Sequence, residues 1–145
     1  MDLVTEYHSS YVNPMFISSL KELYGTAEVT RSPLVVDLDG DGVETVGVSE
    51  GVYFDHDGNG FAEKSGWVGK EDGILVRDIN NNGTIDNGTE LFGNNSVLSS
   101  GAKAANGFEA LKELDSNKDG VFNSSDEAWN TVKVWKDSNQ NGMVD

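Results

Sequence analysis

Five times the chain writes one phrase: Asp, a spacer, Asp or Asn, a spacer, Asp or Asn, then Gly. The copies are Asp37-Leu38-Asp39-Gly40-Asp41-Gly42, Asp55-His56-Asp57-Gly58-Asn59-Gly60, Asp78-Ile79-Asn80-Asn81-Asn82-Gly83, Asp115-Ser116-Asn117-Lys118-Asp119-Gly120 and Asp137-Ser138-Asn139-Gln140-Asn141-Gly142. Residue types and spacing are those of the opening half of a twelve-residue calcium loop. Ca²⁺ takes six to eight hard oxygens at about 2.3–2.6 Å. Positions 1, 3 and 5 supply side-chain oxygens, and position 6 must turn sharply, which glycine does without a Cβ penalty. Position 7 gives its carbonyl, position 9 often acts through water, and a carboxylate at position 12 closes the shell.

The copies differ in how completely they continue. The fourth loop is complete, with Asp115, Asn117, Asp119, the Val121 carbonyl, Asn123 and Asp126 in register. The third offers Asp78, Asn80, Asn82, the Thr84 carbonyl and Asp86, but its Glu90 falls at position 13, so one extra residue, Gly88, is expected to bulge. The second has Asp55, Asp57, Asn59, the Phe61 carbonyl and Glu63, and Gly66 where the closing carboxylate should be. The first has Asp37, Asp39 and Asp41, then Glu44 at position 8 and Val48 at position 12, so it needs ligands from elsewhere. The fifth runs through Asp137, Asn139, Asn141 and the Met143 carbonyl to Asp145 at position 9. On sequence-local completeness, Asp115→Ala is expected to cost more stability than Asp137→Ala.

The acidity of the chain is mostly this chemistry. Net charge is −15, from 25 acidic and 10 basic residues in 145, and fourteen of the acids sit at these presumed ligand positions. The rest of the chain is therefore nearly neutral. Such a balance excludes a nucleic-acid binder, which needs a basic surface, and disfavours anionic membrane surfaces. No apolar run reaches the 18 or more residues of a membrane span. With no cysteine, there is no disulfide framework, thiolate metal site or thiol nucleophile. The 37% apolar content excludes 17 glycines; with them the chain falls in the ordinary globular range.

The elements around the loops read as follows. Asn13 before Pro14 is a helix start, and Phe16, Leu20 and Leu23 form a helical stripe ending at Gly25. A helix is expected at 14–24, then a linker to Ser32. Leu34-Val35-Val36, Val52-Tyr53-Phe54 and Ile74-Leu75-Val76 read as strands entering the first three loops, with Trp67-Val68 as another. Asn106 caps a short helix through Phe108, Leu111 and Leu114 into the fourth loop. A second helix is expected from about Ser125 to Trp135, with Trp129, Val132 and Trp135 on one side, leading to the fifth. Phe122 and Val144 would then pair in a short β-bridge. Gly93 to Gly101 is the expected flexible connection. The fold class is thus α+β, with a β-rich front half of calcium half-loops and an EF-hand-like helix-loop pair at the C-terminal end.

Other residues could tempt a different reading. His56 stands at position 2 of a loop, where side chains usually meet solvent, and His8 has no recognisable partner. Glu71-Asp72 could be glycosidase carboxylates, but a solvated turn is the simpler reading. Trp67, Trp129 and Trp135 read as core rather than as a carbohydrate platform.

From Ser32 onward the sequence resembles the self-processing module of large RTX proteins of the FrpC type. The matching phrases are Pro33-Leu34-Val35-Val36-Asp37-Leu38-Asp39-Gly40-Asp41-Gly42, Phe54-Asp55-His56, Gly66-Trp67-Val68, Asp86-Asn87-Gly88-Thr89-Glu90-Leu91-Phe92-Gly93 and Val134-Trp135-Lys136-Asp137. The resemblance implies a bacterial, exported protein of type I-like secretion, whose module binds Ca²⁺, folds on binding and cleaves an Asp-Pro bond at its own N-terminal edge. The scissile pair corresponds here to Ser32-Pro33, and serine has no carboxylate with which to attack its own carbonyl. The expectation is accordingly a calcium-binding module holding three to five ions, without catalytic residues. Residues 1–31 form an N-terminal helical segment and linker, and 32–145 the module, short of its C-terminal part. Its partners would be calcium and the remainder of a larger secreted protein, with no nucleic acid and no membrane insertion, and the isolated module would be monomeric. Autocatalytic cleavage is the alternative function, and a dockerin-like interaction module, which needs two complete loop-helix repeats, the second.

Overall fold

The computed structural model describes residues 33–144; the expected helix at 14–24, Ser32 and Asp145 lie outside them. Seven strands run in order: β1 (Val35–Val36), β2 (Thr45–Val46), β3 (Val52–Phe54), β4 (Glu63–Ser65), β5 (Trp67–Val68), β6 (Gly73–Arg77) and β7 (Val132–Trp135). One helix, α1 (Gly107–Lys112), lies between β6 and β7, and single 3₁₀ turns occupy Val48–Glu50, Gly88–Glu90 and Trp129–Thr131. All strand pairs are antiparallel: β1-β6-β7 form a three-stranded sheet, while β2 with β5 and β3 with β4 make two-stranded ribbons.

The central strand β6 explains the layering. Successive side chains of a strand point to opposite faces, and β6 is apolar on both. Ile74 and Val76 join Val35, Val52, Phe54, Trp67 and Trp135 in one cluster; Leu75 joins Leu34, Phe92, Leu111, Phe122 and Val132 in the other. A strand covered on both faces reads as a continuous apolar run, as Ile74-Leu75-Val76 does. The strands expected from Leu34-Val35-Val36, Val52-Tyr53-Phe54, Trp67-Val68 and Ile74-Leu75-Val76 all form, as does the Asn106-capped helix, with the Asn106 side chain accepting the Glu109 amide at 3.0 Å.

The C-terminal half departs from expectation. No helix leaves the fourth loop: Trp129–Thr131 make a 3₁₀ turn, and Val132–Trp135 extend to pair with β6, Ile74 opposite Trp135 and Arg77 opposite Val132. Val132-Lys133-Val134-Trp135 carries a period of two as well as a spacing of three, and β6 needs a second hydrogen-bonding neighbour; the sheet decides. Among the described residues the chain is therefore β-rich with a single short α-helix, and no EF-hand-like helix-loop pair stands at their C-terminal end. The expected Phe122–Val144 bridge is also absent among the described residues. Phe122 is buried against Trp129, ring centroids 5.4 Å apart, while Val144 stays partly exposed. Nor is Gly93–Gly101 a loose connection. Ser96 is buried, its hydroxyl donating to the Leu91 carbonyl and accepting the Gly93 amide, Val97 bridges Lys103, and Ser99 donates twice to Glu113.

Candidate metal centres

The elements deliver the loops directly. Loop one starts at the residue after β1, loop two after β3 and loop three after β6; loop four follows α1 and loop five follows β7. All five share one backbone. The first Asp carboxylate accepts the position-6 glycine amide: Asp37 from Gly42 at 3.0 Å, Asp55 from Gly60 at 2.8 Å, Asp78 from Gly83 at 2.8 Å, Asp115 from Gly120 at 2.8 Å and Asp137 from Gly142 at 2.9 Å. These glycines take φ between +73° and +109°. Position 4 is left-handed too, at Gly40, Gly58, Asn81, Lys118 and Gln140. Lys118 and Gln140 carry that conformation with a full side chain, which costs roughly 1–2 kcal/mol each and requires the loop to hold them there. In loops two to five the position-5 side chain accepts the position-7 amide: Asn59 from Phe61, Asn82 from Thr84, Asp119 from Val121 and Asn141 from Met143, at 2.8–3.0 Å.

The loops close in three ways. In loop four Asp126, buried, accepts the position-2 amide of Ser116 on Oδ1 and the position-9 amide of Asn123 on Oδ2, both at 2.8 Å. In loop three Glu90, also buried, does the same to Ile79 at 3.0 Å and Asp86 at 2.7 Å. The 3₁₀ turn Gly88–Glu90 absorbs the extra residue. Asp86 Oδ2 in turn accepts the side-chain amides of Asn80 and Asn82.

Loop one is closed by a residue the sequence reading left as a solvated turn. Asp72 is 1% exposed; its Oδ1 accepts the position-2 amide of Leu38 at 3.3 Å and its Oδ2 the position-8 amide of Glu44 at 2.6 Å. β-pairing places it there. Val36 is opposite Gly73, so the next residue along β1, Asp37, faces the one preceding β6, Asp72. Oxygens of Asp37, Asp39 and Asp72 all lie within 4.8 Å of one another. No local spacing reveals this; only the register of β1 on β6 would have found it. Asp41, beyond this trio, is exposed.

Loop two brings Asp55, Asp57 and Glu63 together, their oxygens again within 4.8 Å, with the Asn59 side chain donating to Asp57 and Glu63. His56 does not face solvent as its position suggested. It is 5% exposed, Nε2 is 2.6 Å from Ser65 Oγ, and the ring packs edge-on against Phe54 and Trp67. In loop five Asp137 is buried and Asn139 and Asn141 occupy the turn.

The charges shift as this geometry dictates. Burial pushes the Asp72 carboxyl up, and Asp37 and Asp39 add to it against the two amides it accepts. Asp41 is raised by its hydrogen bond with Asp39 and by that neighbour's charge. Burial opposes ionisation of Asp55, yet the amides of Gly60, Asn59 and Gly58 hold it below the usual range. The Asn123 amide leads those of Ser116 and Asn117 in lowering Asp126 despite its burial. The donor set fits a hard cation: oxygens only, in two trios whose members lie within 4.8 Å of one another, close enough to share one ion with bonds of about 2.3–2.6 Å. Nothing in either trio is a nitrogen or sulfur ligand of the kind zinc or copper prefers.

Among the described residues, no helix is long and apolar enough to cross a membrane. The SPM domain family matches residues 34–145. Iron-regulated protein FrpA of Neisseria meningitidis serogroup C is 52% identical over 113 residues, covering 77% of this chain and 10% of that protein. The chain thus spans about a tenth of the length of this curated relative.

Proposed function

The chain belongs to the SPM domain family, and we propose that it is a calcium-binding, RTX-associated module of a larger exported protein, ordered by the ions it takes up. The observation carrying this reading is the repeated closing geometry: Asp126, Glu90 and Asp72 each clamp the second amide of a loop and the eighth or ninth. Three carboxylates, at position 12 in loop four, at position 13 in loop three and far along the chain from loop one, take one role around one loop shape. Ca²⁺ would supply the positive charge that lets such carboxylates share a small volume. Asp37, Asp39 and Asp72 would hold it in loop one, and Asp55, Asp57 and Glu63 in loop two. Loop three would use Asp78, Asn80, Asn82, Asp86 and Glu90, and loop four Asp115, Asn117, Asp119 and Asp126. Loop five would use Asp137, Asn139 and Asn141. The module binds without cleaving itself, since Ser32 offers no carboxylate beside Pro33.

Titration calorimetry on the intact chain tests the reading. Three to five calcium ions per chain are expected, with magnesium much weaker. One ion or none, or equal response to both metals, would refute it.

A further inference from the structure

Loop five is fastened to the front half of the fold through its first aspartate. Asp137 is 2% exposed, and its Oδ2 accepts two bonds, from the Gly142 amide at 2.9 Å and from the Trp67 indole Nε1–H at 2.8 Å. In the other four loops the bonds to the first aspartate come from groups of the loop itself, chiefly its backbone amides. Trp67 lies 70 residues away in sequence, on β5. Two further contacts hold the same loop: Gln140 Nε2 donates to the Val68 carbonyl at 3.0 Å, and a Cβ on Gly142 would stand 2.9 Å from the Tyr53 carbonyl. Trp67 is itself at the middle of the aromatic cluster, with ring centroids 5.3 Å from Phe54, 5.6 Å from Trp135 and 6.0 Å from His56.

We propose that Trp67 is a positioning residue for loop five, its indole N–H orienting the Asp137 carboxylate for the cation and so coupling occupancy of that loop to the aromatic core. The inference rests on the calcium reading above and adds the residue that controls one of its sites. Both donors converge on Oδ2. Oδ1 accepts the more distant Asn141 amide at 3.2 Å and is the oxygen left to face a cation. Bonds to an ionised acceptor are about twice as strong as neutral ones, so the indole fixes the rotamer of this carboxylate. Coupling of this kind is reciprocal: what the core gives the site, a filled site returns to the core.

The experiment is a calcium titration of the full chain followed by amide and indole NMR. The position-6 glycines serve as site reporters, Gly142 for loop five and Gly120 for loop four. In the wild type both reach their bound positions over one calcium range. In Trp67→Phe, which keeps an aromatic ring in the core but no donor, Gly142 should need about tenfold more calcium than Gly120. Glycines that still saturate together, or that shift together by the same factor, would overturn the proposal, because a merely structural role moves all sites alike. Should Trp67→Phe not fold, Asp137→Asn keeps an acceptor oxygen. It should displace the Trp67 indole resonance from its calcium-saturated wild-type position and cost Gly142 its response, with Gly120 unaffected; an unmoved indole overturns the coupling. If no loop glycine of the wild type responds to calcium, the functional reading falls and takes this inference with it. Responsive glycines with an indifferent Trp67 remove the inference alone.

Discussion

Gly88 is where loops two and three are locked together, and replacing it with alanine should be among the most damaging small changes in the chain. A Cβ at residue 88 would lie 1.8 Å from the His56 carbonyl oxygen and 2.6 Å from its carbon. Ordinary C···O contact is about 3.3 Å or more, so the backbones must part by roughly 1.5 Å. The Gly88 amide donates to the Asp55 carbonyl at 2.7 Å; that separation would carry the pair beyond hydrogen-bonding distance. Gly88 is buried, and a buried amide without a partner costs about 1–3 kcal/mol. Overpacking adds about 1–3 kcal/mol, giving a loss near 4 kcal/mol from a total of about 5–15. Glu90, two residues on, would also be displaced from the amides it clamps. The control is Gly83→Ala, where φ is +84° and nothing lies within 4 Å of the new Cβ; left-handed strain alone costs roughly 1–2 kcal/mol. The assay is urea unfolding in millimolar calcium, followed by tryptophan emission. With a slope of about 2 kcal/mol/M, the midpoint of Gly88→Ala should fall by about 2 M and that of Gly83→Ala by less than 1 M. A Gly88→Ala protein within about 1 kcal/mol of wild type, or more stable than Gly83→Ala, would refute the reasoning.

Chelation should collapse the front half: like charges as close as Asp37 and Asp72 repel by about 3–4 kcal/mol at an effective dielectric of 20, and an unchanged circular dichroism spectrum in chelator would contradict this. Asp72→Ala should lower calorimetric calcium stoichiometry by one ion, while Glu71→Gln, which breaks only the half-exposed 2.9 Å ion pair with Lys136, should leave it unaltered; matching isotherms for wild type and Asp72→Ala would remove Asp72 from loop one. The chain should remain intact after hours in millimolar calcium, read by gel and intact mass, and a break before Pro33 would show that Ser32 suffices for cleavage.

Much of the loop chemistry was legible because it is local. The Asp at position 1 and the Gly at position 6 meet within five residues, so their spacing encodes their bond, and the same holds for Asp126 in loop four. Glu90 was legible with one residue of slack, which the 3₁₀ turn at Gly88 takes up. Strands buried on both faces announced themselves as short runs of branched apolar residues. The segment Trp129–Trp135 misled because its seven residues cannot separate a period of three from a period of two, and the deciding partner, β6, lies more than fifty residues upstream. His56 misled for the opposite reason: position 2 of an isolated loop faces water, but here the loop sits on β4, and Ser65 and Trp67 cover the ring. The expected ranking of Asp115 over Asp137 counted ligands and not neighbours. Asp137 turns out to hold a buried indole, so its loss leaves the Trp67 donor without that acceptor.

On the proposed calcium reading, Asp72 would make ion binding and folding in this chain one process. Asp126 closes its loop from within the same turn, and Glu90 from a turn with one residue bulged, so both shells can assemble while the rest of the chain is unfolded. Asp72 reaches loop one only when β1 lies antiparallel on β6, a contact spanning 28–34 residues. The entropy of closing that longer stretch must be met before its bonds form. Conversely, β1 is two residues long, too short to hold a register by its own ladder, and Asp37 opposite Asp72 would push the strands apart unless a cation lies between them. On that reading the same pair of carboxylates would oppose the sheet in the absence of calcium and fix its register in its presence. Loop four can order itself locally, whereas loop one reports that the sheet has formed.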